Sequence, residues 1–187
     1  VSQIKAGDFK EGWYNYAQRD PIVDNEAWWF ITLPRLRQGD NVAGKRVILY
    51  QEQGFGDTLQ FIRSATWLIE AGADVTITVP RPLVRLLTQS FPRATVKEIR
   101  KFGDNKEEGY DYSAPIPDLP YIVGVVSDET IPANIPYLRA DPVDIEKFAA
   151  MLPPTRPRIG LVWAGAQHIK AEFVLTDRRR SSNLQDM

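Results

Sequence analysis

A glycine-rich loop from Glu52 to Thr58 is the stretch of the sequence whose residue types are best suited to holding a ligand. Gly54 and Gly56 allow the backbone to turn tightly and to approach a bound molecule closely. The helix expected to follow begins with unpaired N–H groups and the positive end of its dipole, which favour phosphate or another anion. The loop therefore predicts a ligand site at the start of a helix.

Asp57 in this loop has two interpretations. As an N-cap, its carboxylate accepts hydrogen bonds from the first N–H groups of the helix. As a general base, it takes a proton from an incoming hydroxyl group. The two roles compete in part, because a capped carboxylate is a weaker base. Glu52 is the competing candidate for the base.

Two common nucleotide-binding motifs fit the loop poorly. A dinucleotide fingerprint needs a third small residue where Leu59 stands, and an acidic residue near the end of the second strand, where Pro80 and Arg81 stand. A P-loop is excluded because the sequence contains no Gly-Lys-Ser or Gly-Lys-Thr. The sequence thus gives weak support for NAD binding and none for a P-loop nucleotide.

His168 and the basic residues that follow it form a second candidate site. The sequence has no Gly-x-Ser-x-Gly motif with which a catalytic histidine could act, which favours a surface or anion-contacting His168 over a catalytic one. Lys170 and Arg178–Arg180 are either a solvated segment or a phosphate clamp. The clamp is plausible because these residues follow an expected strand and a glycine turn, where a diphosphate would lie.

Composition excludes several classes of protein. The chain has 187 residues and a net charge of −1, which gives no general attraction to nucleic acid or to an acidic membrane surface. Without cysteine and with one histidine, it has no disulfide, thiolate-metal or histidine-rich metal site. No apolar run approaches the roughly 18 residues of a membrane-spanning helix, and no signal peptide is recognisable. We expect a cytoplasmic location. The absence of an initial Met hints at a processed product or a fragment.

The elements around the loop follow a strand–helix–strand pattern. Short apolar strands are predicted over 46–50, 74–79, 94–99 and 110–114, with helices over 58–71, 83–90 and 141–152. Such alternation predicts an α/β fold with a parallel sheet covered on both faces. The loops at the carboxyl ends of parallel strands meet at one edge, where α/β proteins bind their ligands.

Both ends of the chain indicate further elements. Gly7-Asp8 predicts a turn with a possible N-cap aspartate, followed by a helix with Phe9, Trp13 and Tyr16 on one face. The prolines of 153–157 predict a stiff hinge, and 158–163 reads as a buried strand followed by a glycine turn. We expect this strand to be the first of a second α/β domain, most of which is missing or supplied elsewhere.

Three blocks of sequence together resemble a known family. They are Gly7–Trp13 (GDFKEGW), Gly44–Lys45 through Glu52–Phe61 (EQGFGDTLQF), and Pro136–Ala140 (PYLRA) leading to Gly160–Gly165 (GLVWAG). The pattern is similar to bacterial tetratricopeptide-repeat proteins whose C-terminal half is a glycosyltransferase of the two-Rossmann-domain (GT-B) type. That half resembles the heptosyltransferases of glycosyltransferase family nine and, more distantly, O-GlcNAc transferase.

The resemblance implies a division of the chain and roles for its residues. Residues 1–20 would end a tetratricopeptide-like helical repeat, 21–44 would be a linker, 45–152 a Rossmann-like acceptor-side domain, and 153–187 a hinge with the first strand of a truncated donor-side domain. Asp57 would be the catalytic base. The other candidates are Glu52, Gln53, Gly54, Gly56, Thr58 and Gln60 for substrate, and Gly165, His168, Lys170, Arg178, Arg180 and Ser181 for the donor phosphates.

The implied activity is inverting, metal-independent glycosyl transfer without a cofactor. A nucleotide-diphosphate sugar would be the donor, and a saccharide, lipid or protein hydroxyl the acceptor. Both halves must close over the substrates, so we expect the 187-residue chain to be inactive without its missing donor domain. Nucleic acid is not an expected partner. The alternatives are a non-enzymatic α/β interaction module and a nucleotide-binding domain of flavodoxin-like form.

Overall fold

A four-stranded parallel sheet forms the centre of the fold, with the strand order β3-β2-β1-β4. The strands are β1 (Arg46–Tyr50), β2 (Asp74–Val79), β3 (Thr95–Glu98) and β4 (Tyr112–Pro115). Ile48 of β1 lies opposite Thr76 of β2 on one side and Ser113 of β4 on the other. The strands β2 and β3 thus follow one another on one side of β1, whereas β4 lies on its other side. This is a topological switch point, beside which open α/β sheets bind ligands.

The computed structural model describes residues 1–20, 29–99, 109–164 and 182. The chain divides into two compact units, Val1–Glu146 and Lys147–Met187. The helices are α1 (Ser2–Lys5), α2 (Phe9–Ala17), α3 (Phe55–Phe61), α4 (Ala65–Glu70), α5 (Arg81–Ser90), α6 (Leu119–Ile122) and α7 (Pro142–Met151). Short 3₁₀ turns lie at Trp29–Thr32, Ile62–Ser64, Ile116–Asp118 and Asp128–Thr130. Among the described helices, none is long and apolar enough to cross a bilayer.

Successive side chains of β1 point to opposite faces of the sheet, and each face has its own apolar core. Val47 and Leu49 belong to the larger cluster, which also contains buried side chains from α4 and α5. Ile48 and Tyr50 point to the opposite face and pack with Phe30, whose ring centroid lies 4.8 Å from that of Tyr50. The prediction of a parallel α/β sheet covered on both faces is confirmed. On the face of Ile48 and Tyr50, the packing residue Phe30 comes from the 3₁₀ turn at 29–32 and not from an α-helix.

The helix predicted to begin at Thr58 begins at Phe55 instead. Gly54 occupies the N-cap position in an extended conformation (φ −69°, ψ 171°), and the Asp57 side chain accepts a hydrogen bond from its N–H. Asp57 is therefore the third residue of α3 and not the N-cap. The predicted single helix is also interrupted by the 3₁₀ turn between α3 and α4.

Gly72 follows the C-cap of α4 and lies in the left-handed region, with φ +87°, as is typical of a C′ glycine. Replacing Gly72 with alanine should cost about 1–2 kcal/mol of unfolding free energy, because a Cβ disfavours this backbone conformation. Gly56→Ala is the matched control, since Gly56 lies within α3 and an added Cβ would meet nothing within 4 Å. Alanine there should be neutral or stabilising by up to about 1 kcal/mol. Urea unfolding of both variants tests the contrast, which equal losses would contradict.

The N-terminal residues form a helical hairpin, α1 and α2, that turns at Gly7. Trp13 is buried and packs edge-on against Phe61 of α3 at a centroid distance of 5.6 Å, so the predicted apolar face of α2 is confirmed. Asp8 is the N-cap residue of α2, as the sequence predicts. Its carboxylate makes no cap bond and instead accepts a weak bond of 3.4 Å from the Gln3 side chain.

The strand predicted over 158–163 is wrong, because Arg158–Trp163 does not form a strand. Ile159 and Val162 are 80% and 91% exposed. The carbonyl of Trp163 accepts a bond from Ser182 N–H at 2.8 Å, but none of the described strands pairs with this segment. An apolar run becomes a buried strand only where neighbouring strands supply a hydrogen-bonded ladder.

Candidate functional site at the carboxyl edge of the sheet

The switch point brings two loops together at the carboxyl edge of the sheet. Tyr50 and Pro115, the last residues of β1 and β4, lie opposite each other in the parallel register. The loop 51–54 therefore emerges beside the 3₁₀ turn Ile116–Asp118. The glycine-rich loop thus lies at the carboxyl edge of the sheet, as predicted from the parallel strands.

Four charged residues meet at this edge and form what we call the arginine–carboxylate cluster: Arg19, Arg35, Glu52 and Asp118. Arg19 binds both oxygens of Glu52, with Nε–Oε1 at 3.1 Å and Nη2–Oε2 at 2.5 Å. Its Nη1 reaches Asp118 Oδ1 at 2.7 Å. Arg35 binds Asp118 Oδ2 through Nη2 at 2.5 Å and Nε at 3.1 Å. The two arginines and two carboxylates balance in formal charge.

The charges of this cluster are largely shielded from water, so each of them needs a partner of opposite charge. The side chains of Glu52 and Asp118 are 0% and 2% exposed, and those of the arginines 19%. Burial raises the pKa of Asp118 above its ordinary value, against the opposing pull of Arg35 and Arg19. Burial also works against the charge on Arg19, but Asp118 and Glu52 outweigh it and raise the pKa of Arg19. Since both Glu52 oxygens accept from Arg19, Glu52 presents no surface to a ligand in this structure.

Asp57 is partly exposed and tied to its own loop. Its Oδ2 accepts the Gly54 N–H at 3.0 Å, and the hydroxyl of the buried Thr58 donates to the Gly54 carbonyl at 3.3 Å. These bonds close the turn and fix the orientation of the Asp57 carboxylate. A carboxylate offers about four acceptor positions, so one capping bond leaves capacity for a ligand hydroxyl.

Two glutamines line the same edge. Gln53 donates to the hydroxyl of Tyr16 at 2.6 Å, and Gln51 donates from Nε2 to the Gln53 carbonyl at 2.7 Å. Burial raises the pKa of Tyr16, although the nearby Arg19 lowers it in part. Gln51 Oε1 is buried and accepts no hydrogen bond within the described part of the chain. An unpaired buried acceptor usually has a water or a ligand as its partner.

The remaining predicted residues are more scattered. Gln60 lies further along α3 and lines a cavity walled by Trp13 and Phe61. The residues predicted to bind the donor phosphates lie outside the described residues: Gly165, His168, Lys170, Arg178, Arg180 and Ser181. Over the described ranges, no three His, Asp or Glu side chains form a group that could hold a metal ion.

Sequence reasoning missed Arg19, Arg35, Asp118 and Gln51. Arg19 and Asp118 are 99 positions apart, so no local spacing could connect them. A weak signal existed for two of these residues. Gln51 directly follows β1, and Asp118 follows β4 by a few residues, which is where α/β folds concentrate ligand contacts.

Comparison with known proteins gives one distant similarity. The chain is 29% identical to Protein FlbA of Caulobacter vibrioides (strain ATCC 19089 / CIP 103742 / CB 15) over 178 residues, which cover 86% of this chain and 29% of FlbA. The chain therefore spans less than a third of the length of this relative. No family model matches the chain. No solved structure matches it significantly.

Proposed function

We propose that this chain provides the acceptor-side half of an inverting, metal-independent glycosyltransferase of the GT-B type. The observation that carries the proposal is the position of the EQGFGDT loop at the carboxyl end of β1, beside the switch point, with a partly exposed Asp57. The unpaired acceptor of Gln51 at the same edge supports it, because a sugar hydroxyl is a suitable donor for that atom.

In this proposal Asp57 is the general base. Its carboxylate takes the proton of an acceptor hydroxyl while that oxygen attacks the anomeric carbon of a nucleotide-diphosphate sugar. The bond from the anomeric carbon to the diphosphate oxygen breaks on the opposite face, so the configuration inverts. The bond from Gly54 N–H holds the carboxylate in one orientation. Positioning of this kind makes proton transfer efficient.

The rest of the resemblance belongs to the same proposal. A Rossmann-like acceptor domain over 45–152 agrees with the parallel sheet and its strand order. The helical hairpin at the N-terminus is compatible with the end of a tetratricopeptide-like repeat. His168, Lys170 and the arginines 178 and 180 would neutralise the departing diphosphate. The cytoplasmic location and the nucleotide-sugar donor are further parts of the proposal.

A second candidate is a non-enzymatic interaction or nucleotide-binding module. This candidate is favoured because every carboxylate described at this edge is already hydrogen-bonded within the protein. Glu52 and Asp118 are bound to arginines, and Asp57 is bound to Gly54. In that case the edge is a stable scaffold, and a ligand binds there without being converted.

Glycosyl transfer is tested directly with this chain and with any longer gene product that contains it. Each is mixed with nucleotide-diphosphate sugars and with saccharide, lipid and protein acceptors, in the presence of EDTA. The proposal expects the longer product to release nucleoside diphosphate at roughly 1 s⁻¹ or faster, with inverted configuration of the product by NMR. Nucleotide-sugar binding by the longer product with neither transfer nor donor hydrolysis would favour the non-enzymatic module.

A further inference from the structure

A cavity of about 170 Å³ lies beside the end of α3, and none of the residues of the glycine loop lines it. Its walls are mostly apolar and come from α2, α3, the 3₁₀ turn at Ile62–Ser64, α6 and the segment 125–132. The lining residues are Trp13, Gln60, Phe61, Arg63, Ser64, Pro120, Val125, Ile131 and Pro132. Cavities of about 150 Å³ with apolar walls accept a benzene-sized molecule. Because Gln60 is exposed, the cavity can be reached from solvent.

Trp13 lines this cavity and carries an unpaired indole donor. Trp13 is 9% exposed, and its Nε1–H has no hydrogen-bond partner within the described part of the chain. Edge-on contacts with Tyr16 and Phe61, at 5.8 Å and 5.6 Å between ring centroids, hold the indole in place. A buried donor without a protein partner is costly, so a water or a ligand acceptor is expected at this N–H.

Arg63 contributes a positive charge to the same cavity. Its guanidinium lies 4.5 Å from the centroid of the Tyr137 ring, donates to the Tyr137 hydroxyl at 3.3 Å, and donates from Nε to the Gln60 carbonyl at 3.2 Å. It forms no ion pair with a carboxylate among the described residues. A guanidinium has five N–H donors, so further donors remain for a ligand.

We propose that this cavity is a binding site for a small carboxylate with an aromatic or similarly compact apolar body. The apolar walls take the body, and the carboxylate accepts hydrogen bonds from the donors at Trp13 and Arg63. A charged acceptor fits better than a neutral one, because hydrogen bonds between a guanidinium and a carboxylate are charge-assisted. The cavity shares Gln60 with the residues that the resemblance assigns to substrate, but the two ligand contacts of this proposal, Trp13 and Arg63, have no role in the proposed glycosyl transfer.

Benzoate is the probe that tests this site, with benzyl alcohol as its neutral counterpart. Titration into ¹⁵N-labelled protein should give a saturable shift of the Trp13 indole N–H resonance, which a Trp13→Phe variant identifies by its disappearance. Benzyl alcohol should bind at least about tenfold more weakly, because it lacks the charge-assisted bonds. No saturable shift at millimolar benzoate would overturn the proposal, as would equal binding of the two probes.

Arg63→Gln is the variant that tests the charge, and Arg81→Gln is its matched control. Arg81 is an exposed arginine at the start of α5 that does not line the cavity. Arg63→Gln should weaken benzoate binding at least about tenfold, whereas Arg81→Gln should leave it unchanged. Equal weakening by both variants would show general charge attraction and overturn the site. Thermal melts of both variants verify that each is folded.

Discussion

Replacing Arg19 with methionine is expected to lower the unfolding free energy by about 3–5 kcal/mol, because it removes the cation bound to the buried Glu52 and one of the two cations bound to Asp118. Glu52 loses both of its bonds from Arg19, and Asp118 keeps only those from Arg35. Methionine preserves much of the length and the apolar stem, so the loss reports mainly on charge. Urea unfolding followed by circular dichroism measures it, and the melting temperature should fall by roughly 10 °C.

Two variants control this experiment. Arg81→Met removes an exposed arginine and should change stability by no more than about 0.5 kcal/mol. Adding Glu52→Gln to Arg19→Met should recover part of the loss, because the buried side chain then carries no charge for Arg19 to balance. A loss of less than about 1 kcal/mol for Arg19→Met would mean that the cluster contributes little, as exposed ion pairs do.

The same cluster joins distant parts of the chain at the ligand edge. Arg19 follows α2, Glu52 follows β1 and Asp118 follows β4. The Gln53–Tyr16 bond adds a second connection between the glycine loop and α2. The N-terminal hairpin therefore helps to hold the edge loops in place, and we expect it to unfold together with the sheet.

The strands could be predicted because their information is local. The bounds of 46–50 and 74–79 agree with β1 and β2, since both are short runs of mostly apolar or β-branched residues. The third and fourth strands differ by one or two residues at their ends. The predicted start of α3, at Thr58, was wrong because an aspartate can accept backbone N–H bonds from either the N-cap or the third helical position. The sequence does not distinguish the two positions.

The chemical environment of the site could be predicted less well than its position. Placing the glycine loop at the carboxyl edge requires only parallel strands and right-handed connections. Glu52, for example, is held by hydrogen bonds from Arg19, which lies 33 positions away and follows another element, so no local pattern predicts this contact. The same limit applies to 158–163, where an apolar run resembles a buried strand but burial depends on what packs against it.

Asp57→Asn is expected to lower glycosyl transfer about 10²- to 10⁴-fold, because it removes the general base. The asparagine carbonyl can still accept the Gly54 N–H, so the start of α3 should persist, with a stability change below about 1 kcal/mol. Donor binding should be unchanged, since Asp57 is assigned to the acceptor side. Turnover and nucleotide-sugar affinity are measured on the longest gene product that shows transfer.

Asp57→Ala separates catalysis from capping, because alanine removes both the base and the acceptor for Gly54. It should lose transfer to the same extent as Asp57→Asn but cost about 1 kcal/mol more in stability. Asp8→Asn is the matched control, since Asp8 is an exposed carboxylate before a helix that makes no capping bond. If Asp57→Asn turns over as fast as the unmodified protein while Asp57→Ala is destabilised, Asp57 is a helix-capping residue and the general base lies elsewhere.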